Sequence, residues 1–364
     1  MSTPDPVVAA LAAGQVVHAG AQLDVWLRDG SRVSTRVVSA SGDADESRSW
    51  RHEGTVLVAG DVDEQAMQLG LRARLRTSMV GSDGRTYWAP LVTGTITARH
   101  RTLGGAAWTI RLRSPEWRIV RAGFTKKRVI AGAAFNAISD LVAEAMPGRR
   151  VYVDPRLQDV ALTQRIYDPG DDARLRAVRE VAQACGAVFS ATPGGTLVLR
   201  PPTTLAGGPP DWIVDAGVGL VSAAADVDEE RYANVIVVTN SDDGREVRGI
   251  EWARPGQAGY VGDVAAGVLT GSSGATGDTI GRGMYVRHVS LPVTSDTDAW
   301  AAAKAILDGM PREVARVDFT GLDNPWVTAG SRLHVRGPGV TSRHVVTRRP
   351  WTVPSSPMQC ETRR

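Results

Sequence analysis

The stretch Asp171-Asp-Ala-Arg-Leu-Arg-Ala-Val-Arg-Glu-Val-Ala-Gln-Ala-Cys-Gly186, with the run after it to Leu199, decides the fold. Leu175, Val178, Val181, Ala182 and Cys185 recur at three- and four-residue spacing, which is one apolar face of a helix. Asp171 or Asp172 caps its start, where negative charge meets the helix dipole, and Gly186 closes it. A hairpin follows: Ala187 to Phe189, the turn Thr192-Pro-Gly-Gly195, then Thr196 to Leu199. A helix feeding a hairpin in mid-chain predicts a small α+β unit, and what flanks it sets the architecture.

Towards the N-terminus, Phe135, Ile138, Leu141, Val142 and Ala145 have helical spacing, ended by Pro147-Gly148, so the α+β unit spans 121–205. Before it the period changes to two. Leu23, Val25 and Leu27 alternate with Asp24 and Trp26, and Asp29-Gly30 marks a tight turn. Leu69, Leu71, Ala73 and Leu75 alternate with Gly70, Arg72, Arg74 and Arg76; Trp108, Ile110 and Leu112 alternate with Thr109, Arg111 and Arg113. One buried and one solvated face per strand predicts an antiparallel barrel or sandwich over 1–120.

Towards the C-terminus, Pro201–Pro210 reads as a linker. Val235–Val238 is a short apolar run suited to a buried strand, and Asp242-Asp-Gly244 turns the chain into Arg245–Trp252. Gly262–Gly283 is dominated by small residues and reads as a loop. Strand patterns resume at Met284–Val293. A helix at about 295–309 follows, with Ser295 and Asp298 as a capping box and Trp300, Ala303 and Leu307 on its core face. Val314–Thr320, Arg332–Arg336, Arg343–Thr347 and Met358–Arg364 are again strands. The fold class is mainly β with an α+β insert: 1–120, 121–205, and 206–364 carrying the inserted helix.

The 364 residues suffice for two or three domains with sizeable cores. No apolar run is long enough to span a bilayer, and Met1-Ser-Thr-Pro-Asp-Pro lacks the pattern of a secretory signal. Cys185 and Cys360 form neither a disulfide framework nor a zinc site. A net charge of +3 does not by itself imply nucleic-acid binding. Only Lys126, Lys127 and Lys304 are lysines, so 42 − 3 = 39 basic residues are arginine. Codon bias of a GC-rich genome explains this, as does selection of planar guanidinium groups for interfaces.

The chain carries no nucleophile elbow, and Gly271-Ser-Ser-Gly274 lacks the Gly-Lys-Ser/Thr ending of a phosphate-binding loop. His18, His52, His100, His288, His334 and His344 show no metal-ligand spacing. The carboxylates at Asp61-Val-Asp-Glu64, Asp171-Asp172 and Asp226-Val-Asp-Glu-Glu230 suit turns and a helix start better than acid–base work on sugars. Lys126-Lys127-Arg128 reads as a charged strand edge. No catalytic, cofactor-binding or metal-ligating residue is predicted.

Three segments carry a resemblance. They are the helix–hairpin unit Asp171–Leu199, the stretch Arg231-Tyr-Ala-Asn-Val-Ile-Val-Val238, and the ending, in which the Ala-rich helix Trp300–Leu307 and a strand lead to Asn324-Pro-Trp-Val327, Gly330 and Leu333-His-Val335. In this order they resemble the central hub proteins of phage tail tips and baseplates, a family that includes the N-terminal part of siphophage tail-associated proteins. The family commonly has an acidic residue after that glycine, where this chain has Ser331. The resemblance implies two β-barrel domains per subunit and a homotrimer presenting six barrels. Such a ring joins a threefold tip to the sixfold tail tube or distal tail protein, next to the tape measure protein, around a passage for DNA. It implies a virion tail-tip location after synthesis in the host cytoplasm, no enzymatic activity and no cofactor, with receptor-binding or wall-degrading functions on other proteins. Arg72, Arg74 and Arg76 on one strand face, and Arg111 and Arg113 on another, then face a neighbouring subunit, the channel or solvent. Two rival readings are a cell-wall hydrolase using Asp61, Asp63 and Glu64, and a glycan-binding protein that recognises a host surface through exposed tryptophans.

Overall fold

The computed structural model describes residues 3–14, 18–59, 62–101, 107–204, 208–215, 220–227, 233–240, 247–255, 260–262, 269, 285–309, 315–337, 340–354 and 358–363. After a short helix α1 (Asp5–Ala12) come β1 (His18–Trp26), β2 (Arg32–Asp45), β3 (His52–Ala59), β4 (Arg72–Val80), β5 (Thr86–Arg101) and β6 (Ala107–Arg113). They pair antiparallel in the order β1-β4-β5-β6-β3-β2, and β2 pairs back onto β1, so the sheet closes into a barrel. The two-residue period is the cause: Leu23, Val25, Val56, Val58, Ala73, Leu75, Ile110 and Leu112 alternate inward and are buried together. Leu69 precedes β4 and stays exposed, so it does not join the alternation that the sequence predicts for it.

The middle of the chain forms α2 (Glu116–Arg121), β7 (Arg128–Ala133), α3 (Ala134–Ala145), β8 (Val151–Val153), β9 (Ala161–Tyr167), α4 (Ala173–Ala184), β10 (Val188–Ala191) and β11 (Leu197–Arg200). β7 pairs with β9, and β11 lies between antiparallel β10 and parallel β8. Leu175, Val178, Val181 and Ala182 of α4 are buried, as the spacing predicts. Asp172 sits at the N-cap but makes no side-chain cap bond, because its own backbone is already helical rather than extended.

Beyond Arg200 lie β12 (Trp212–Asp215), β13 (Leu220–Val227), β14 (Val235–Asn240), β15 (Val247–Trp252), β16 (Val286–Ser290), α5 (Asp296–Gly309), β17 (Ala315–Gly321), β18 (Arg332–Gly337), β19 (Val340–Val353) and β20 (Met358–Arg363). Six of these strands pair in the order β12-β18-β19-β20-β17-β13. Numbered within their own unit, that is first, fourth, fifth, sixth, third, second. The first barrel has the same order. The copies differ at the first strand: β1 is antiparallel to β4, β12 is parallel to β18, and no pairing of β12 with β13 occurs among the described residues.

β14, β15, β16 and α5 are an insertion between the second and third strands of the second unit. The sequence places them in the second β domain, but one apolar face of the insertion packs in the α+β core, while Val235, Val237 and Trp252 on the other face form a separate cluster with Val261. Ile236, Val238, Leu291, Val293, Ala299, Ala302 and Ala303 pack with residues of α3 and α4 in one cluster. Trp300, expected on the core face of α5, is 45% exposed, because the alanines take the buried side. They allow a close approach: a Cβ on Gly249 of β15 would lie 2.2 Å from backbone atoms of Ala299 and Trp300. The capping box at Ser295 forms, with the Asp298 amide donating to Ser295 Oγ at 3.1 Å. The Gly262–Gly283 stretch (apart from Gly262 and Leu269) and the Asp242–Gly244 turn lie outside the described residues.

β19 belongs to both six-stranded units. Its first half pairs with β18, and Arg348–Val353 pair with Asp45–Ala40 of β2. Trp351 thereby enters the first barrel's core cluster and is buried. Room for its ring exists because Gly42 and Gly54 lack side chains; a Cβ on them would lie 2.4 and 2.6 Å from the indole.

Candidate assembly surface

The five arginines singled out by alternation all lie on the outer face of the first barrel, opposite the buried Ala73, Leu75, Ile110 and Leu112. They form two clusters, each built around a carboxylate and an indole. In the first, Asp24 of β1 is fully buried beneath Arg74 (3.0 Å) and Arg76 (3.3 Å). Ser34 donates to the same carboxylate at 2.7 Å. Burial pushes the Asp24 carboxyl up, but the Ser34 hydroxyl and the two arginines outweigh it and hold the group below the usual carboxylate range. The guanidinium groups of Arg72 and Arg74 lie 4.4 and 5.4 Å from the Trp26 ring centre, and Arg76 lies 4.6 Å from that of Trp88. Arg76 also donates to Gln22 Oε1 at 2.7 Å. In the second, Glu53 of β3 receives Arg113 at 3.3 Å, Arg111 at 3.7 Å and the Trp50 indole N–H at 2.7 Å. Arg113 stacks 4.4 Å from the Trp50 ring centre. Alternation identified the arginines, but their partners sit on other strands and depend on register.

A second feature locks the barrel to the α+β unit. Both backbone groups of Ala191, on the free edge of β10, are held by side chains from elsewhere. Its N–H donates to Glu116 Oε1 at 2.6 Å, and its carbonyl faces His52 Nε2 at 3.2 Å. Complete burial lowers the His52 pKa to about 3, helped by the nearby Arg51, so the ring is neutral and Nε2 carries the donated proton. Beside this clamp a cleft of about 500 Å³ lies between the three units, lined by Arg51, Tyr152, Ser190, Arg200 and Arg332 among others.

Of the residues in the hydrolase reading, Asp63 accepts from the Gln65 amide at 2.9 Å to start a short turn, Glu64 pairs with Arg99 at 3.8 Å, and Asp61 lies outside the described residues. Both cysteines are free, with burial pushing each thiol up to about 12. Among the described residues no group of three or more His, Cys, Asp or Glu converges as a metal site, and no helix is long and apolar enough to cross a membrane.

No family model matches the chain, and no curated protein matches it. Solved structures do. A tail protein from Neisseria meningitidis superposes with a TM-score of 0.63 at 13% identity, covering 95% of this chain and 97% of that one. The 43 kDa tail protein of prophage MuSo2 from Shewanella oneidensis gives 0.57 at 10% identity, over 94% and 98%. An Escherichia coli component of the type VI secretion system, described as structurally similar to T4 bacteriophage tail proteins, gives 0.53 at 10% identity, over 93% and 75%. From end to end, the chain has the fold of phage tail and baseplate hub proteins.

Proposed function

We propose that the protein is a structural hub of a phage or phage-like tail tip. The observation that carries this reading is the repeated strand order of two six-stranded units joined through the shared strand β19. A homotrimer of such a chain presents six similar units in a closed ring, which matches a threefold tip to a sixfold tail tube or distal tail protein. The likeness to tail proteins over nearly the whole chain supports the same role. The ring's centre would pass DNA, the tape measure protein would end near it, and the role would be mechanical rather than catalytic. The outer arginine clusters are then surfaces for neighbours. Light scattering across a concentration series, with and without a candidate distal tail protein, tests this. A trimer, alone or with that partner, is the expected result. A chain that stays monomeric and ignores the partner overturns the hub reading.

A further inference from the structure

The strand register shows more arginine on the first barrel than alternation along single strands predicts. Gln22, Asp24 and Trp26 project outward from β1. Opposite them stand Arg36, Ser34 and Arg32 on β2 and Arg76, Arg74 and Arg72 on β4. Residues paired across antiparallel strands share a face, so nine side chains form a three-by-three grid. Five are arginines and one is a carboxylate, and that carboxylate is fully buried and already bound to Arg74 and Arg76. Arg32, Arg36 and Arg72 are exposed, and Arg149 adds a further like charge near Arg72. No carboxylate lies within ion-pair distance of Arg72 among the described residues. The guanidinium groups of Arg72 and Arg74 lie over the Trp26 ring and that of Arg76 over the 40% exposed Trp88.

We infer that this β2–β1–β4 face docks an extended, carboxylate-rich segment of a partner protein. The spacing argues for such a partner. Grid rows repeat about every 7 Å along the strands and about 5 Å across them, which is the spacing of alternate side chains on an opposing strand. Arg72, held over the Trp26 ring and without an ion-pair partner among the described residues, keeps its N–H groups available for the two oxygens of a carboxylate, whereas those of Arg74 and Arg76 are engaged by Asp24. The grid spans only about 14 by 10 Å, too small a patch to follow a DNA backbone across many phosphates. The inference deepens the assembly reading and rests on it for the partner's place in a tail.

The test is calorimetric titration of the full chain with a capped peptide alternating Glu and Thr, against the same peptide with Gln for Glu. Saturable binding of the Glu peptide alone is expected. The triple variant Arg32→Gln, Arg36→Gln, Arg72→Gln, which leaves the Asp24–Arg74–Arg76 lock intact, should bind at least tenfold more weakly with an unchanged melting temperature. The corresponding triple Lys variant should also lose several-fold, because charge alone does not restore the planar fork. If the triple variant fails to fold, Arg72→Gln alone serves, with a smaller loss in the same direction. Undiminished binding by a folded variant overturns the proposal, as does short duplex DNA that displaces the peptide and binds more tightly. The assay needs no trimer, so its failure leaves the hub reading standing, and a monomeric chain in the light-scattering experiment leaves this face standing.

Discussion

At Trp351 a single side chain joins two units. Its ring fills space left by Gly42 and Gly54, inside a barrel whose strands end more than two hundred residues earlier in the chain. Trp351→Ala should cost about 3–5 kcal/mol, read as a drop in denaturant midpoint, because the cavity it leaves is walled by rigid strands. Gly54→Ala should be strongly destabilising in the native protein and much less so on a Trp351→Ala background; a double-mutant cycle measures that coupling. His52 supplies a pH test. Its folded pKa of about 3 lies below the 6.5 of an unperturbed histidine, so between these values the unfolded chain binds the extra proton. Stability contributed by neutral His52 is therefore complete above about pH 6.5 and lost as pH falls towards 3. Urea melts at pH 7 and pH 4.5 should differ by less in His52→Gln than in the native chain. None of these contacts was legible in the sequence. Val-Thr-Arg-Arg-Pro-Trp351 has no pattern that names a distant glycine pair as its socket.

At the scale of elements, what could be read was what depends on local periodicity. The alternation Leu71-Ala73-Leu75, the helix from Leu175 to Cys185 and the capping box at Ser295 all have their signal within one helix or one strand. What could not be read was allegiance. β14 is a continuous apolar run that suits either flanking core, and α5 lies next to second-unit strands in sequence; burial puts α5 and the face of β14 carrying Ile236 and Val238 in the α+β cluster, while Val235 and Val237 form a separate one. The arginine face was half legible for the same reason: Arg72, Arg74 and Arg76 alternate visibly, whereas Arg32, Arg36 and Asp24 join them only through register. Gly249 marks where α5 meets its sheet. Gly249→Ala should cost about 1–3 kcal/mol through overpacking, and its effect should appear as faster amide exchange in α5 and β15 before any loss in the first barrel.

At the scale of the whole molecule, two similar sheets share β19, so relative motion between them requires breaking the Arg348–Val353 ladder with β2. Hydrogen exchange should show that ladder opening only with global unfolding, unlike a flexible inter-domain contact. The shared strand also orders events in time. Chains emerge from synthesis N-terminus first, and domains ordinarily fold in that order. Here the earliest barrel to appear holds an unfilled hollow until one of the last strands delivers its indole. A prematurely released chain would therefore display a leaky, adhesive barrel for proteases to clear. A chain extended through Trp351 closes it.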